Sequence, residues 1–261
     1  MAERPDIDLT RPSAARVYDY YLGGAHNFAV DREMAEQAIR MWPEVPMIMR
    51  ANRAFLRRAV RFCVARGVTQ FLDLGSGIPT VGNVHEVARA ADPGARVVYV
   101  DNDPVAVTYS RTILDGDRQT AVVQEDLRHP AEVLAAQQLL DLSRPVAVMM
   151  VAVLHFVADG AADVVAAYRD AVPPGSFLVV SHATGDGQAP RDADAHTDLY
   201  RQRTTTPMTM RSKAEVEALF AGFELVEPGV VHLPLWRPET PEDVDEHPER
   251  FAGLAAVGRR R

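Results

Sequence analysis

From Thr69 onward the chain changes its hydrophobic period, and that change restricts the fold it can adopt. Short β-branched runs stand at Gln70–Leu72, Arg96–Val100, Ala121–Gln124, Val146–Val153 and Phe177–Ser181. Helical stretches fill the gaps, at about Asn83–Ala91, Pro104–Leu114, Pro130–Leu140 and Gly160–Ala171. Strand–helix–strand repetition predicts a parallel sheet with helices on both faces, because parallel neighbours need a crossover long enough to hold a helix. Val146–Val153 is apolar throughout instead of alternating, as in a strand covered on both sides. After it come a helix opened by a Ser212–Glu215 capping box and two final strands, Phe223–Glu227 and Phe251–Gly258.

Before Thr69 the pattern is helical. Arg11–Leu22 stops at Gly23-Gly24, Asp31 caps a second helix through about Met41, and Pro43 and Pro46 separate it from a third, about Met47–Arg66. That third helix carries Phe55, Leu56, Ala59, Val60 and Cys63 on one face and Arg57, Arg58 and Arg61 on the other. The expected organisation is a helical cap over residues 1–67 and an α/β domain over 68–261.

Charge narrows the partners. Asp and Glu outnumber Lys and Arg by 36 to 28, a net charge of −8, and the basic residues form no stripe apart from Arg259–Arg261. Gripping a nucleic acid backbone needs clustered positive charge, so DNA and RNA are disfavoured. Met1–Thr10 carries Glu3, Arg4, Asp6 and Asp8 where a secretion signal needs an apolar run, and Val146–Leu154 is about half the length of a membrane span. A cytoplasmic protein with no membrane partner is expected. Cys63 is the single cysteine, which leaves neither an internal disulfide nor a cysteine zinc site.

The sharpest local signal is Phe71-Leu72-Asp73-Leu74-Gly75-Ser76-Gly77, at the carboxyl end of the first strand, where open α/β sheets form their ligand crevice. Glycines there let a ligand approach the backbone. A dinucleotide site wants a third glycine three residues on and an immediate helix. Here Thr80 holds that position, Pro79 and Gly82 interrupt, and Asp73 would repel a pyrophosphate. An acid at Asp73 suits an ammonium instead. The second strand ends in Asp101-Asn102-Asp103-Pro104. Asp103 reads as an N-cap before Pro104, which leaves Asp101 to accept from the two hydroxyls of a ribose. The third strand ends in Glu125-Asp126-Leu127, an acid for an adenine amino group beside an apolar side chain for the ring. Three acids at three consecutive strand ends describe a site for ammonium, ribose and adenine without phosphate.

That combination resembles the class I S-adenosylmethionine-dependent methyltransferases. More closely, it resembles an actinobacterial methyltransferase family long listed as a domain of unknown function. The matching segments include Arg16–Gly24 with Asn27 and Asp31, Asn52–Phe55, Phe71–Thr80, Asn83–Val87, Val98–Pro104, Asp126–Arg128, Val153–Phe156 and Gly175–His182. The resemblance implies a Rossmann-like, seven-stranded, mostly parallel sheet with an antiparallel last strand and an N-terminal helical cap. It implies S-adenosylmethionine as cofactor, with Gly75, Ser76 and Gly77 around its methionine part, Asp101 and Asn102 at the ribose, and Asp126 and Leu127 at the adenine. Asp73, Val153, Tyr21 and Asn27 complete the expected cofactor residues. The last two belong to a turn that Gly23-Gly24 would let fold over the site as a lid.

Methyl transfer from a sulfonium is an in-line displacement, so alignment supplies much of the acceleration, and a base is needed only where the acceptor loses a proton. His155 and His182 follow the fourth and fifth strands at the crevice edge and are the candidate bases. Arg53 reads either as a contact to the cofactor carboxylate or as a surface ion pair. Asp192, Asp194, His196 and Asp198 alternate, but read better as the start of a helix than as a metal site, and no metal is expected. The expected activity is methylation of a small organic molecule, at oxygen. A cofactor-binding regulator without turnover and, less well, a nicotinamide-dependent oxidoreductase are the alternatives.

Overall fold

In the computed structural model, residues 10–79, 82–187, 208–240 and 244–261 are described. The sheet is built outward from β1 (Gln70–Leu74), which is buried along its whole length. β1 pairs in parallel with β2 (Arg96–Asp101) on one side and β4 (Ala147–Val151) on the other. β3 (Thr120–Gln124) extends the sheet from β2, and β5 (Phe177–Ala183) extends it from β4, both in parallel. β8 (Gly253–Arg260) runs antiparallel along β5, from Phe177 opposite Arg259 to Ala183 opposite Gly253. Its other edge carries β6 (Phe223–Leu225) and β7 (Val231–His232), both antiparallel to it.

The strand order is therefore β3-β2-β1-β4-β5-β8-β6, with β7 also on β8. The seven expected positions across the sheet are present, and the strand count rises to eight because the outermost position is divided between two short strands. The order in which strands are added reverses between the parallel neighbours β1 and β4, so the crevice opens at their carboxyl ends.

Side chains alternate between the two faces as the pleat requires. Leu72, Val98, Val148, Met150 and Val180 face a core with Val133 of α6 (Pro130–Ala136), Val164 and Val165 of α7 (Ala161–Ala171) and Val216 of α8 (Lys213–Ala218). Phe71, Val97, Met149 and Val179 face the opposite core, under α3 (Val45–Val64) and α4 (Val84–Ala91). Local chemistry starts several helices where the sequence marks them. Asp103 accepts from the Val105 amide at the start of α5 (Pro104–Ile113), and Ser212 and Glu215 close the capping box of α8. α6 stops short of Leu140, whose amide is taken by the Gln137 side chain at 3.0 Å.

The expected cap divides. α1 (Ala14–Tyr21) and α2 (Ala29–Met41) pack together in a small core of Val17, Tyr21, Met34, Ala35 and Ala38. α3 belongs to the sheet instead: Phe55, Leu56, Ala59, Val60 and Cys63 are buried against Phe71, Met149, Phe177 and Trp236. A broad apolar stripe on a 20-residue helix needs a sheet-sized surface to bury it, and α3 finds it on β1, β4 and β5. Among the described residues, no helix is long and apolar enough to cross a membrane.

Candidate active site

The loop after β1 is shaped by its backbone. Gly75 and Gly77 have φ of +70° and +64°. The Gly75 and Ser76 amides both donate to the Val100 carbonyl, at 2.8 and 3.1 Å, tying the turn to the end of β2. A Cβ on Gly75 would stand 2.2 Å from Val153 Cγ2. Glycine is thus required there both by conformation and by contact.

The acids at the strand ends are held in place by that backbone. Asp101 Oδ2 accepts from the Gly77 amide at 2.7 Å and its Oδ1 from the Asp103 amide at 2.8 Å. Burial raises the Asp101 acid to about 6, against the pull of those amides. Asp73, paired in register with Tyr99 and Met149, is also buried. Burial lifts it to about 7, with the Arg53 charge opposing and the Asp101 charge adding to the lift. Two carboxylates in so dry a place are poised for a cationic partner.

Asp126 differs. Arg128 folds back on it, donating from Nε at 2.9 Å to Oδ1 and from its own backbone amide at 2.9 Å. These bonds hold the Asp126 acid at about 2. Asn102 Nδ2 reaches the same carboxylate at 3.4 Å. Arg128 Nη2 also donates to Oδ2, so about four donors fill about four lone-pair sites, and an exocyclic amino group would be received in exchange for one of them, the long Asn102 bond being the weakest. Leu127 is buried beside it, and its carbonyl accepts from the Tyr168 hydroxyl at 3.0 Å.

These groups line one cavity of about 730 Å³ at the carboxyl ends of the strands. It brings together Asp73, Gly75, Ser76, Gly77, Asp101, Asn102, Asp126, Leu127 and Val153, as expected from the sequence. Tyr21 and Asn27 are elsewhere. Tyr21 is in the small core between α1 and α2, and Asn27 Nδ2 donates to Asp19 Oδ2 and to the Gly24 carbonyl, both at 2.9 Å. Both serve the cap's own packing. From the cap, residues 11–16 and Tyr18 line the cavity, so its contact lies a helical turn or more before Tyr21. α1 docks over the loop through Ser13, whose hydroxyl donates to Asp103, and Ala15, whose Cβ lies 3.9 Å from where a Gly77 Cβ would be.

The two histidines stand near perpendicular in a T-shaped pair, with ring centroids 5.6 Å apart, and both line the cavity. His182 is not free to act as a base. Its Nδ1 donates to the Ala183 carbonyl at 2.7 Å and its Nε2 accepts from Arg211 at 2.8 Å. Burial, with the Arg211 charge adding to it and the Ala183 carbonyl opposing, lowers its pKa to about 4. Both nitrogens of a neutral ring are engaged in this arrangement. His155 meets the Ala183 amide through Nδ1 at 3.4 Å. Arg211, unmarked in the sequence, also holds the carbonyls of Leu154, Val157 and Ala158, and so fixes the loop that carries His155. These three carbonyls lie more than fifty residues away in the chain, and no local pattern reveals them.

The far wall is mostly apolar, formed by Val45, Ile48, Met49, Phe156, Met208 and Met210. At the end of β4, Ala152 adopts φ +56°, rare for a residue with a side chain, and its amide donates to Ser181 Oγ at 2.9 Å. Asp192, Asp194, His196 and Asp198 lie outside the described residues. Among the described residues, no group of three or more His, Cys, Asp or Glu is placed to hold a metal.

A family model described as S-adenosyl methyltransferase matches residues 1–261. The chain belongs to that family. It is an S-adenosylmethionine-dependent methyltransferase. The fold of a candidate methyltransferase from Thermobifida fusca is similar throughout, with a TM-score of 0.91 at 42% identity, covering 98% of each chain. So is that of a DUF574 family protein from Streptomyces avermitilis, with a TM-score of 0.91 at 40% identity, over 96% of this chain and 98% of the other. Human N-acetylserotonin methyltransferase, solved with S-adenosylmethionine, shares the fold at a TM-score of 0.51 and 15% identity, over 96% of this chain and 63% of its own. No curated protein matches the sequence.

The donor set fits the cofactor of that family. Two buried carboxylates face the cavity with raised pKa, to about 7 and about 6, one of them fixed by amides on both oxygens. A zwitterionic, ribose-bearing cation satisfies both, whereas a pyrophosphate would meet two negative charges.

Proposed function

We propose that this methyltransferase acts on a small organic molecule and methylates it at an oxygen atom. The observation that carries the reading is the division of one cavity into an acid-lined half and an apolar half. Its volume lies in the range of small-molecule sites, and the net charge of −8 supports a small molecule over a nucleic acid.

On this reading Asp73 takes the cofactor's ammonium, and the Gly75-Ser76-Gly77 backbone runs beside its methionine part. Asp101, with Asn102 next to it, takes the ribose. Asp126 and Leu127 take the adenine, and Val153 backs the glycine loop. The bound cofactor supplies an electrophilic methyl group on a sulfonium. The chain supplies alignment: α1 lies over the glycine loop as a lid, and Arg211 holds the His155 loop at the edge of the apolar half. His155 is the residue proposed to take the proton of an acceptor hydroxyl, its Nδ1 exchanging the long 3.4 Å contact with the Ala183 amide for the acceptor, whereas the His182 nitrogens are held by closer partners at 2.7 and 2.8 Å.

Phenols, carboxylic acids and amines incubated with S-adenosylmethionine test this, with S-adenosylhomocysteine release and product mass as readouts. An O-methyl product is expected. Products on amine nitrogen alone would overturn the acceptor atom, and no product from any small molecule would overturn the acceptor class. His155→Ala is expected to lower kcat by about 100-fold or more and to leave S-adenosylhomocysteine affinity unchanged. Unchanged kcat would remove His155 from the reaction.

A further inference from the structure

Tyr18 is the end of a hydrogen-bond chain that starts on the sheet. The Ala152 amide donates to Ser181 Oγ at 2.9 Å, the Ser181 hydroxyl donates to Asn52 Oδ1 at 2.6 Å, and Asn52 Nδ2 donates to the Tyr18 oxygen at 2.8 Å. The Arg53 guanidinium lies 5.5 Å from the Tyr18 ring centroid and hydrogen-bonds the same oxygen. Two donors therefore arrive at one phenolic oxygen. Its lone pairs are engaged, and what it retains for a further partner is its own proton. Burial raises the Tyr18 acid above the ordinary phenol value, so that proton stays in place at neutral pH.

The Tyr18–Arg53 pair sits where the two halves of the cavity meet, since the Arg53 charge also reaches Asp73 at the end of β1. The acids assigned to the cofactor's ribose and adenine stand at the ends of β2 and β3. The Tyr18 chain rises from the ends of β4 and β5, the side that carries His155: Ala152 is in the same loop, and Ser181 is two residues before Ala183, whose amide meets the His155 ring. Tyr18, Asn52, Arg53 and Ser181 all line the cavity, next to the apolar wall of Ile48, Met49 and Phe156. A polar group carried into that half by a ligand meets a phenolic O–H beside a guanidinium. Such a pair favours an oxygen bearing negative charge.

We propose that Tyr18 contacts the methyl acceptor and, with Arg53 beside it, holds an anionic oxygen of that molecule, so that the acceptor is a small carboxylic acid or phenol with an apolar body. The proposal rests on the small-molecule reading given above and names its substrate class.

The test is a titration of benzoate and of benzyl alcohol, by calorimetry, into protein saturated with S-adenosylhomocysteine. Benzoate is expected to bind more tightly than the alcohol. Tyr18→Phe keeps the ring under Arg53 and removes the donor, and is expected to weaken benzoate by about tenfold or more. Its affinities for benzyl alcohol and S-adenosylhomocysteine should stay within about twofold of the unsubstituted protein, the latter also showing that the site is folded. An unchanged benzoate affinity overturns the proposal. So does an equal loss of S-adenosylhomocysteine affinity, because the donor would then serve the cofactor. Binding of the alcohol without benzoate refutes the anionic oxygen and leaves the small-molecule reading standing. Binding of neither overturns the proposal and leaves the small-molecule reading to the product assay.

Discussion

The two halves of the cavity are made in different ways. The half at β1, β2 and β3 is made by backbone: two glycines at positive φ, four amides aimed at Val100 and Asp101, and acids one or two residues from a strand end. The half at β4 and β5 is made by side chains from distant segments. Asn52 of α3 bridges Tyr18 of α1 to Ser181 of β5, and Arg211 ties three carbonyls and a histidine. A backbone-built site tolerates little change in the chain that forms it. A side-chain-built site can change its contents while the sheet stays the same.

Substitution at Gly75 is the strongest way to break that contrast. Gly75→Ala places a Cβ against Val153 and a side chain at φ +70°. A loss of roughly 2–4 kcal/mol is expected from overpacking and left-handed strain together, read by chemical denaturation. Val153→Ala in the same chain should recover the contact part and leave the conformational part. Wild-type stability for Gly75→Ala would show that the loop is not fixed by its backbone.

Next in size is Asp101. Asp101→Ala should cost about 1.5–3 kcal/mol of S-adenosylhomocysteine affinity, roughly ten- to a hundredfold, measured by calorimetry. His155→Ala should cost none. If both variants lost cofactor affinity alike, the division into two halves would be wrong.

This division also explains what could be read from the sequence. Gly75, Gly77, Asp101 and Asp126 were legible because each lies at the end of a β-branched run, so that position in the chain and position in the site coincide. The parallel sheet was legible for the same reason. Tyr21 was expected in place of Tyr18 because a helical face tells which residues lie together, not which neighbour they turn to. α3 was assigned to the cap because it is adjacent to the cap in sequence, while its apolar stripe belongs to β1 and β4. The state of His182 depended on Arg211, 29 residues later in the chain.

Asp73 offers a smaller effect with a sign that distinguishes a binding role from a structural one. Its folded-state acid, at about 7, lies above the ordinary carboxylate value, and Asp101, at about 6, shifts the same way. Groups raised in this direction hold a proton in the folded protein that the unfolded chain has already released. Their contribution therefore falls as pH rises from about 4 to about 7. Stability of the cofactor-free protein should decline across that window, with S-adenosylhomocysteine affinity tightening as pH rises from 5.5 to 7. Asp73→Asn should raise the cofactor-free midpoint at pH 8, by about 2–4 °C for each kcal/mol relieved, and weaken cofactor binding. A variant that loses stability instead would make Asp73 a structural residue.

The smallest effect is expected at Arg128, and it tests whether side chains matter at all in the backbone-built half. Its guanidinium is more than half exposed, and Asp126 keeps the Arg128 backbone amide whether or not the side chain is there. Exposed pairs of this kind contribute about 0–1 kcal/mol, so Arg128→Ala should change stability by no more than that. The Asp126 acid should move up from about 2 toward the ordinary value, because the Arg128 side chain is the largest influence holding it down. Since a depressed carboxylate contributes stability that is present above pH 4 and lost as pH falls toward 2, the variant should lose less stability on acidification than the unsubstituted protein. At neutral pH, Asp126 stays ionised in both, and cofactor affinity should be within about threefold. A larger loss would mean that Arg128 itself contacts the cofactor, and that the acid-lined half depends on a side chain after all.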